Sequence, residues 1–600
     1  MKWLLAILTL FGGVLLVQTA WFRHTKSITF DETYYLGCSL QTLHDGRLDP
    51  RLASQGVAPL PIFLNYLPAL SFAKPEDRPI AWQGKLRDPE LIRGPRLITS
   101  VLAGLPLLLA VSIWLYSRKG AAAAAAGAGL MAFSPSIIAH ASLATTDACF
   151  ALFATLALAA IAWHFRQPSR RRFVVMAAAI SLAMAAKYSG VFLLPVVLVM
   201  FLVQAFGQLR SVEVASQPIA APLSAQPLAW RRRLWEIAIS CAVLVLLILP
   251  LWWALHRFSF TGPLKNLPLA ETPDTSPWVQ ILGRGPTAET IMRIAHEKLK
   301  RPAPFDGVLY QYLHNRGGHC AFLMGQRSET GWWYFFPLAM LMKSTPVELL
   351  LLFGLLLLTV ISARSSWPAF RSLDTEMQVI GIAALVYGML LVTSRINIGH
   401  RYLLPLYPLL VIAGVDRLWQ ALGSRPKAMP WMTAALMAGQ AVSCLAVAPH
   451  YLAYFNSVVG GPLRGWHYLV DSSIDWGQDL PALSQELKRL GYRRVALQYF
   501  GTAEPRAYGI EADPLTHLRR PLEEYEAFAV SVTNLQGLYI QGVDPFRELR
   551  LVRPVGRAGY SILIFDLSDL ATRETLRRAN AAMQSHREGE APAKAGAIAD

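Results

Sequence analysis

Cysteine is scarce, five in 600 residues, and none falls in a zinc-type Cys/His spacing, which excludes zinc-ribbon and zinc-finger scaffolds. Cys149, Cys241 and Cys444 lie in or near apolar runs; Cys38 and Cys320 fall in segments read as facing outside, with nothing in their spacing that demands a disulfide. Charge is scarce too, at 16% of residues against 54% hydrophobic, too little for the surface of an ordinary soluble protein of this length. No internal repeat is visible. What the chain has instead is a succession of long apolar runs.

A transmembrane helix needs about 20 mostly apolar residues. Such runs occupy 3–21, 97–116, 121–138, 148–164, 188–206, 234–255, 345–361, 377–393, 402–419 and 431–447. A shorter one at 173–186 must also cross if its neighbours are to keep a consistent orientation. The expectation is a polytopic α-helical membrane protein with about 11 transmembrane helices. The first run follows a basic start, but "LVQTAW" puts Gln18 three residues before a cut after Ala20, where a signal peptidase needs a small side chain. It is read as an uncleaved anchor.

A formal charge of +17 points to nucleic acid until the basic residues are located. Lys2, Arg118 with Lys119, Arg166 with Arg170–Arg172, Arg210 with Arg231–Arg233, Arg364 with Arg371, and Arg425 with Lys427 all fall in alternate connections. The positive-inside rule makes those connections cytoplasmic. Topology thus absorbs the basic charge, and no nucleic-acid partner is expected. The chain is assigned to a plasma (inner) membrane, with a cytoplasmic N-terminus and an extracytoplasmic C-terminal region.

Residues 1–449 form the transmembrane part, interrupted by outside loops at 22–95 and 257–344 and by an Ala/Pro/Ser-rich cytoplasmic stretch at 207–233, read as a flexible linker. Residues 450–570 read as a small extracytoplasmic α/β domain. In it Leu480, Leu483, Leu487 and Leu490 recur at helical spacing, and "RVALQYF", "AFAVSVT" and "SILIFDL" read as strands. The polar tail, 571–600, reads as disordered.

The chemistry begins at "ITFDETYYLG", residues 28–37. Thr29 and Glu32 have capping-box spacing, and Asp31 and Glu32 suit a helix N-terminus, so capping alone explains this stretch. The short outside connections are nearly free of charge, so the exceptions matter. Asp147 opens a span in "AHASLATTDACF", seven residues after His140; Lys187 sits in "AAKYSG"; Arg395, His400 and Arg401 flank the turn "SRINIGHRYLLP". Each has a bland reading: helix-dipole compensation for Asp147, snorkelling for Lys187, lipid contact for the arginines. Together they put carboxylates and cations at one membrane face. A site that deprotonates a hydroxyl and holds a membrane-borne phosphate needs that pairing.

With "FDETYYLG", "SLATTDACF", "AAKYSGVFLLP", "GWWYFFPLAMLMKSTP" and "HRYLLPLYP" in this order, the chain resembles the polyprenyl-phosphate-dependent glycosyltransferases of the GT-C fold. That family includes protein O-mannosyltransferases and lipid A aminoarabinose transferases. "DSSIDWGQDL", residues 471–480, resembles a stretch after the last span of bacterial members. The resemblance implies an inverting transfer of sugar from a polyprenyl-phosphate-linked donor to an acceptor hydroxyl on a lipid, glycan or protein. By it Asp31 is the catalytic base, Glu32 supports it or contacts metal or substrate, and Asp147 is the second acidic position. Lys187, Arg395 and Arg401 bind the donor phosphate. No cofactor is demanded; Asp31, Glu32, His140 and Asp147 are candidate ligands for a divalent metal ion. A calcium loop at "DSSIDWGQD" is rejected, because Trp476 stands where such a loop needs Gly and Ala482 where it needs Glu. "GWWYFF" reads as an interfacial aromatic belt. The rival readings are a non-enzymatic transporter or flippase, which predicts mid-span charges and repeated halves, and an envelope assembly subunit with a structural acidic cluster.

Overall fold

The computed structural model describes residues 2–71, 89–215, 226–261, 285–364, 373–423, 425–540 and 544–595. Every one of the eleven apolar runs is helical over most of its length. Six helices have the length and hydropathy to cross a membrane alone: Lys2–Thr25, Pro89–Lys119, Thr146–Arg166, Tyr188–Ala205, Trp230–Leu255 and Thr375–Val392. A seventh crossing is the pair Ala121–Ala132 and Pro135–Ala141, bent by 65° where Pro135 supplies no backbone N–H. The helices Arg170–Ala186, Pro346–Arg364, Leu406–Ala421 and Met429–Leu445 miss the criterion. Arg170–Ala186 opens on three arginines, and Leu406–Ala421 is shortened by the 3-10 turn His400–Leu403 before it. By length and composition, then, six or seven helices among the described residues can cross, against eleven expected. The chain is a polytopic membrane protein.

Helix α1 (Lys2–Thr25) leaves the apolar bundle into an extended segment that runs straight into α2 (Phe30–Asp45). Thr29 adopts an extended N-cap conformation, and Gly46 ends α2 at φ 66°, the left-handed region that glycine enters at least cost. Leu36 and Leu40, four residues apart on one face of α2, are both 0% exposed. They belong to a hydrophobic core that also contains Ile28 and Tyr66 of the same loop and Leu480, Leu483, Leu497 and Ile564 of the C-terminal part. A membrane-exit loop and a distant α/β layer thus share one core.

Two buried ion pairs fix this junction. Glu32 and Arg96 are both 0% exposed, with Arg96 Nη2 2.7 Å from Glu32 Oε2. Arg96 Nε donates to Glu32 Oε1 at 2.9 Å, and Oε1 also accepts from the Ala144 N–H at 2.8 Å. Oε2 accepts from Thr29 N and Thr29 Oγ1 at 2.9 and 2.8 Å, so the expected capping bond is made. The second pair joins Lys26 to Asp479, with His450 also against Lys26 Nζ. Around it the backbone closes: Ser27 N donates to Gln478 O at 2.8 Å and Phe30 N to Trp476 O at 3.0 Å.

The C-terminal layer is a five-stranded mixed sheet of β1 (Val495–Gln498), β2 (Ala512–Pro514), β3 (Ala527–Ser531), β4 (Gly556–Ala558) and β5 (Ile562–Asp566), in the order β2-β1-β3-β5-β4. β1 runs parallel to β2 and β3; β5 runs antiparallel to β3 and β4. The helix Leu480–Leu490 buries Leu480, Leu483 and Leu487 and ends on Gly491 at φ 80°. The strands lie within "RVALQYF", "AFAVSVT" and "SILIFDL".

Two expectations need correction. The stretch expected to be disordered from 571 is instead helical over Leu570–Ala595. Leu576, Ala579 and Met583 are buried at spacings of three and four residues, which give even a polar helix one anchored face. The stretch expected to be a linker at 207–233 is narrower, since helices run to Ala215 and resume at Gln226; 216–225 lie outside the described residues, as do 72–88 and 262–284 of the two outside loops.

Breaking a buried ion pair by neutralising one partner costs about 3–5 kcal/mol. Glu32→Gln should therefore lower the thermal unfolding midpoint of the detergent-solubilised protein sharply. Burial alone would raise the Glu32 carboxyl, but Arg96 and the Thr29 and Ala144 N–H groups outweigh it and hold it below its ordinary value of 4.5. Stability from this carboxylate is complete above that value and is lost as pH falls through its depressed folded value. The acid-side decline in wild-type stability should be shallower in Glu32→Gln; equal slopes in thermal melts across that range would exclude the linkage.

Candidate active site

Successive residues on a helix point about 100° apart. Because Glu32 is drawn inward by Arg96, its neighbour Asp31 is turned to the rim, where its side chain keeps 26% of its exposure. Arg401, from the turn His400–Leu403, reaches it with Nη1 2.6 Å from Asp31 Oδ2. The same Nη1 lies 3.9 Å from Asp147 Oδ2. Asp147 stands in the first turn of α3 (Thr146–Arg166), with its side chain 1% exposed. Its Oδ1 accepts from Lys187 Nζ at 2.6 Å and its Oδ2 from Thr145 Oγ1 at 3.1 Å. Lys187 is the extended C-cap of α4 (Arg170–Ala186), and its side chain is 19% exposed.

Four segments far apart in sequence thereby produce an alternating row: Asp31, Arg401, Asp147, Lys187. Aromatic faces line its cations. Lys187 Nζ is 4.5 Å from the Tyr402 ring centroid, and the Arg401 guanidinium carbon is 4.3 Å from that of Trp476. Among the described residues Asp31 Oδ1 accepts no hydrogen bond, so one carboxylate oxygen at the rim is unengaged beside Arg401.

The remaining residues singled out in the sequence fall elsewhere. Glu32 offers no oxygen to metal or substrate, because five donor contacts already converge on its two oxygens. Arg395 is exposed and donates to Arg316 O at 3.1 Å, apart from the row. His140 is buried beside it, with its ring centroid 6.4 Å from that of Trp476 and its Nδ1 unpartnered among the described residues. Metal ligation by Asp31, Glu32, His140 and Asp147 does not fit this arrangement: Glu32 is saturated, Asp147 is already bridged by Lys187 and Thr145, and no group of three His, Cys, Asp or Glu among the described residues is disposed around a common point. Cys38 and Cys320 are free thiols.

The three acids of "DSSIDWGQDL" each take different partners. Asp479 binds Lys26 and accepts from Ser561 Oγ at 2.7 Å. Asp475 accepts from Thr533 N at 3.1 Å, and burial pushes its carboxyl up to about 8. Asp471 accepts from Tyr539. Burial disfavours the Asp479 carboxylate as well, but Lys26 outweighs that cost and holds it below its ordinary range. The stretch clasps residues 26–30 and carries Trp476 under Arg401.

Sequence reasoning missed Arg96, Lys26 and Lys343. Arg96 borders the second apolar run in "LIRGPRL", and a cation at a span edge facing an Asp-Glu pair was the available signal. Lys343 is buried without an acid among the described residues, donating to Leu452 O and Ser473 O at 2.8 and 2.6 Å. A separate cavity of about 630 Å³ opens at the β2 edge among Arg493, Arg494, Arg506, Arg519 and Arg520. Acids answer much of its charge: Arg494 pairs with Glu526, Arg519 with Asp513 and Arg520 with Glu524.

Residues 93–261 match the family model described as dolichyl-phosphate-mannose-protein mannosyltransferase. That stretch holds Asp147 and Lys187, together with Arg96 and His140, and excludes Asp31 and Arg401. Among solved structures the chain is similar to ArnT from Cupriavidus metallidurans bound to undecaprenyl phosphate, at 15% identity and a TM-score of 0.39, over 93% of this chain and 97% of that one. The apo state of the same protein matches at 14% identity and a TM-score of 0.38, with the same coverage. No curated protein matches the sequence. The resemblance to polyprenyl-phosphate-dependent glycosyltransferases read from short motifs is thus met by a family match over residues 93–261.

Proposed function

We propose that this protein is an inverting glycosyltransferase that moves a sugar from a polyprenyl-phosphate-linked donor to an acceptor hydroxyl at the extracytoplasmic face. The observation that carries the reading is the row Asp31–Arg401–Asp147–Lys187, with one Asp31 oxygen unengaged. It is supported by the family match across Asp147 and Lys187.

In this reading the acceptor hydroxyl approaches the anomeric carbon while its proton passes to Asp31 Oδ1. The new C–O bond forms as the anomeric carbon–phosphate oxygen bond breaks, and the electron pair leaves with polyprenyl phosphate. The leaving group gains negative charge, which Arg401 and Lys187 stabilise; a phosphate needs no proton to depart. One displacement inverts the anomeric centre, unlike the double displacement of retaining glycosidases. Asp147 holds Lys187 in place, and Glu32 positions Asp31 through the first turn of α2. No step passes through a metal ion.

The orientation rests on charge at the two ends of α3. Asp147 opens the helix and Arg166 closes it, some 30 Å away at 1.5 Å per residue, the thickness of a bilayer core. At the Arg166 end lies a second ionic cluster, with Arg118 against Asp374, Glu376 and Asp416 at 2.7, 2.6 and 2.8 Å. The basic connections belong to that end, so the transfer row belongs to the outside, where a lipid-borne donor replaces a nucleotide sugar. A soluble donor would have no reason to meet cations at membrane depth.

Asp31→Asn should lower transfer by about 10²–10⁴-fold with near-normal folding, read from single-turnover transfer in reconstituted vesicles; wild-type rates would remove Asp31 as the base. Lys187→Gln keeps a hydrogen bond to Asp147 and removes the charge. It should raise the half-saturating donor concentration about tenfold, the loss of one charge-assisted contact, and an unchanged donor dependence would count against its phosphate role. Mass spectrometry of envelope lipids, glycans and proteins from cells with and without the gene should reveal one sugar-bearing species that depends on it.

A further inference from the structure

The row of charges has a floor that does not come from the membrane part. Trp476 lies in the C-terminal stretch "DSSIDWGQDL", is 1% exposed, and is among the largest fully buried side chains. Its ring centroid is 4.3 Å from the guanidinium carbon of Arg401. Its backbone is held at both ends: Trp476 N donates to Gln478 Oε1 at 2.7 Å, and Trp476 O accepts from Phe30 N at 3.0 Å. Phe30 is the residue immediately before Asp31. One residue therefore touches Arg401 through its ring and, through its backbone, the residue that precedes Asp31.

Arg401 needs such a partner. Its guanidinium uses Nη1 on Asp31, while Nε is buried without a hydrogen-bond partner among the described residues. Hydrogen bonds alone leave the plane of the guanidinium free to tilt about Nη1. An aromatic face fixes that plane and favours the charged group electrostatically, leaving Nη2, which makes no hydrogen bond among the described residues, for an incoming oxyanion.

We propose that Trp476 is a positioning residue of the transfer site, holding the Arg401 guanidinium flat against Asp31, so that the C-terminal part of the chain completes a site whose charged groups all come from the membrane part. This rests on the glycosyltransferase reading for its kinetic consequence, but not for its structural one. The role is separable from packing, because Phe and Leu both leave space where the indole stood and only Phe keeps a ring face.

The test uses the full-length protein in nanodiscs, as Trp476→Phe, Trp476→Leu, Arg401→Lys and the Trp476→Leu/Arg401→Lys double variant. Trp476→Leu should lower kcat about 10- to 30-fold, the range of a desolvated cation–π contact, with KM for the acceptor within about twofold. Trp476→Phe should recover most of that loss. In the Arg401→Lys background Trp476→Leu should add little, because its target is already altered. Losses that multiply independently, or a Phe variant as impaired as Leu, would overturn the proposal. A second measurement needs no transfer activity: phenylglyoxal labelling of Arg401, read by peptide mass spectrometry. Labelling should be slow in wild type and Trp476→Phe and about tenfold faster in Trp476→Leu. Equal labelling rates sink the positioning role, whereas a wild type that transfers no polyprenyl-phosphate sugar sinks the functional reading and leaves the labelling result to decide this one.

Discussion

Beneath the rim carboxylate of Asp31 lies a fully buried ion pair, Glu32 with Arg96, and the geometry above it follows from the need to keep that pair satisfied. Charges removed from water are tolerable only when every oxygen and N–H finds a partner. Glu32 meets that condition by drawing together three separate segments: its own N-cap at Thr29, the helix carrying Arg96, and the Ala144 N–H just ahead of Asp147. The contact to Ala144 sets the entry to α3 and so the height of Asp147. A single saturated carboxylate therefore fixes the distance between the two acids of the row.

The Lys26–Asp479 pair does the corresponding work on the other side. It ties the end of α1 to the C-terminal stretch, and the backbone bonds of Ser27 and Phe30 extend the tie to Trp476 and Gln478. The shared core of Ile28, Leu36 and Leu40 with Leu480 and Ile564 supplies the apolar burial that the ion pairs themselves cannot. The exit loop is thus held from below by the membrane helices and from above by the sheet layer. Asp31 is left as the partly exposed acid at the seam.

Much of this was legible because the sequence is so poor in charge. In a chain whose short outside connections carry few ionisable residues, Asp147, Lys187 and Arg401 stood out as exceptions, and the structure joins all three to Asp31. The same rule misled at Arg395, since a charge at a loop can simply face water. Arg96 was hidden by its position at a span edge, where a lone arginine reads as a snorkelling anchor. Lys26 and Trp476 were hidden for another reason: their partners lie more than 70 residues away, and pairing across such distances leaves no local pattern. The tail was misread because composition ignores Leu576, Ala579 and Met583, three contacts at helical spacing that suffice to seat a helix. Helix counts drift for a related cause. Runs such as 402–419 are apolar enough, but a proline or a 3-10 turn at the start shortens the regular helix beneath the length of a crossing.

The adjacency of Asp31 and Glu32 then has a physical meaning that neither the capping reading nor the catalytic reading supplies alone. A capping box needs its acid pointing back at the N-cap; a base needs its acid pointing out at a substrate. One residue cannot do both, and a helix turn separates neighbours by about 100°, so two consecutive acids divide the tasks. Glu32 spends all its hydrogen-bonding capacity inward. Asp31 keeps one oxygen engaged by Arg401 and the other unengaged among the described residues. The cap is what aims the rim carboxylate, and in a loop leaving a membrane, where water and chain ends would otherwise blur its position, that aim is the part of the site the fold has to supply.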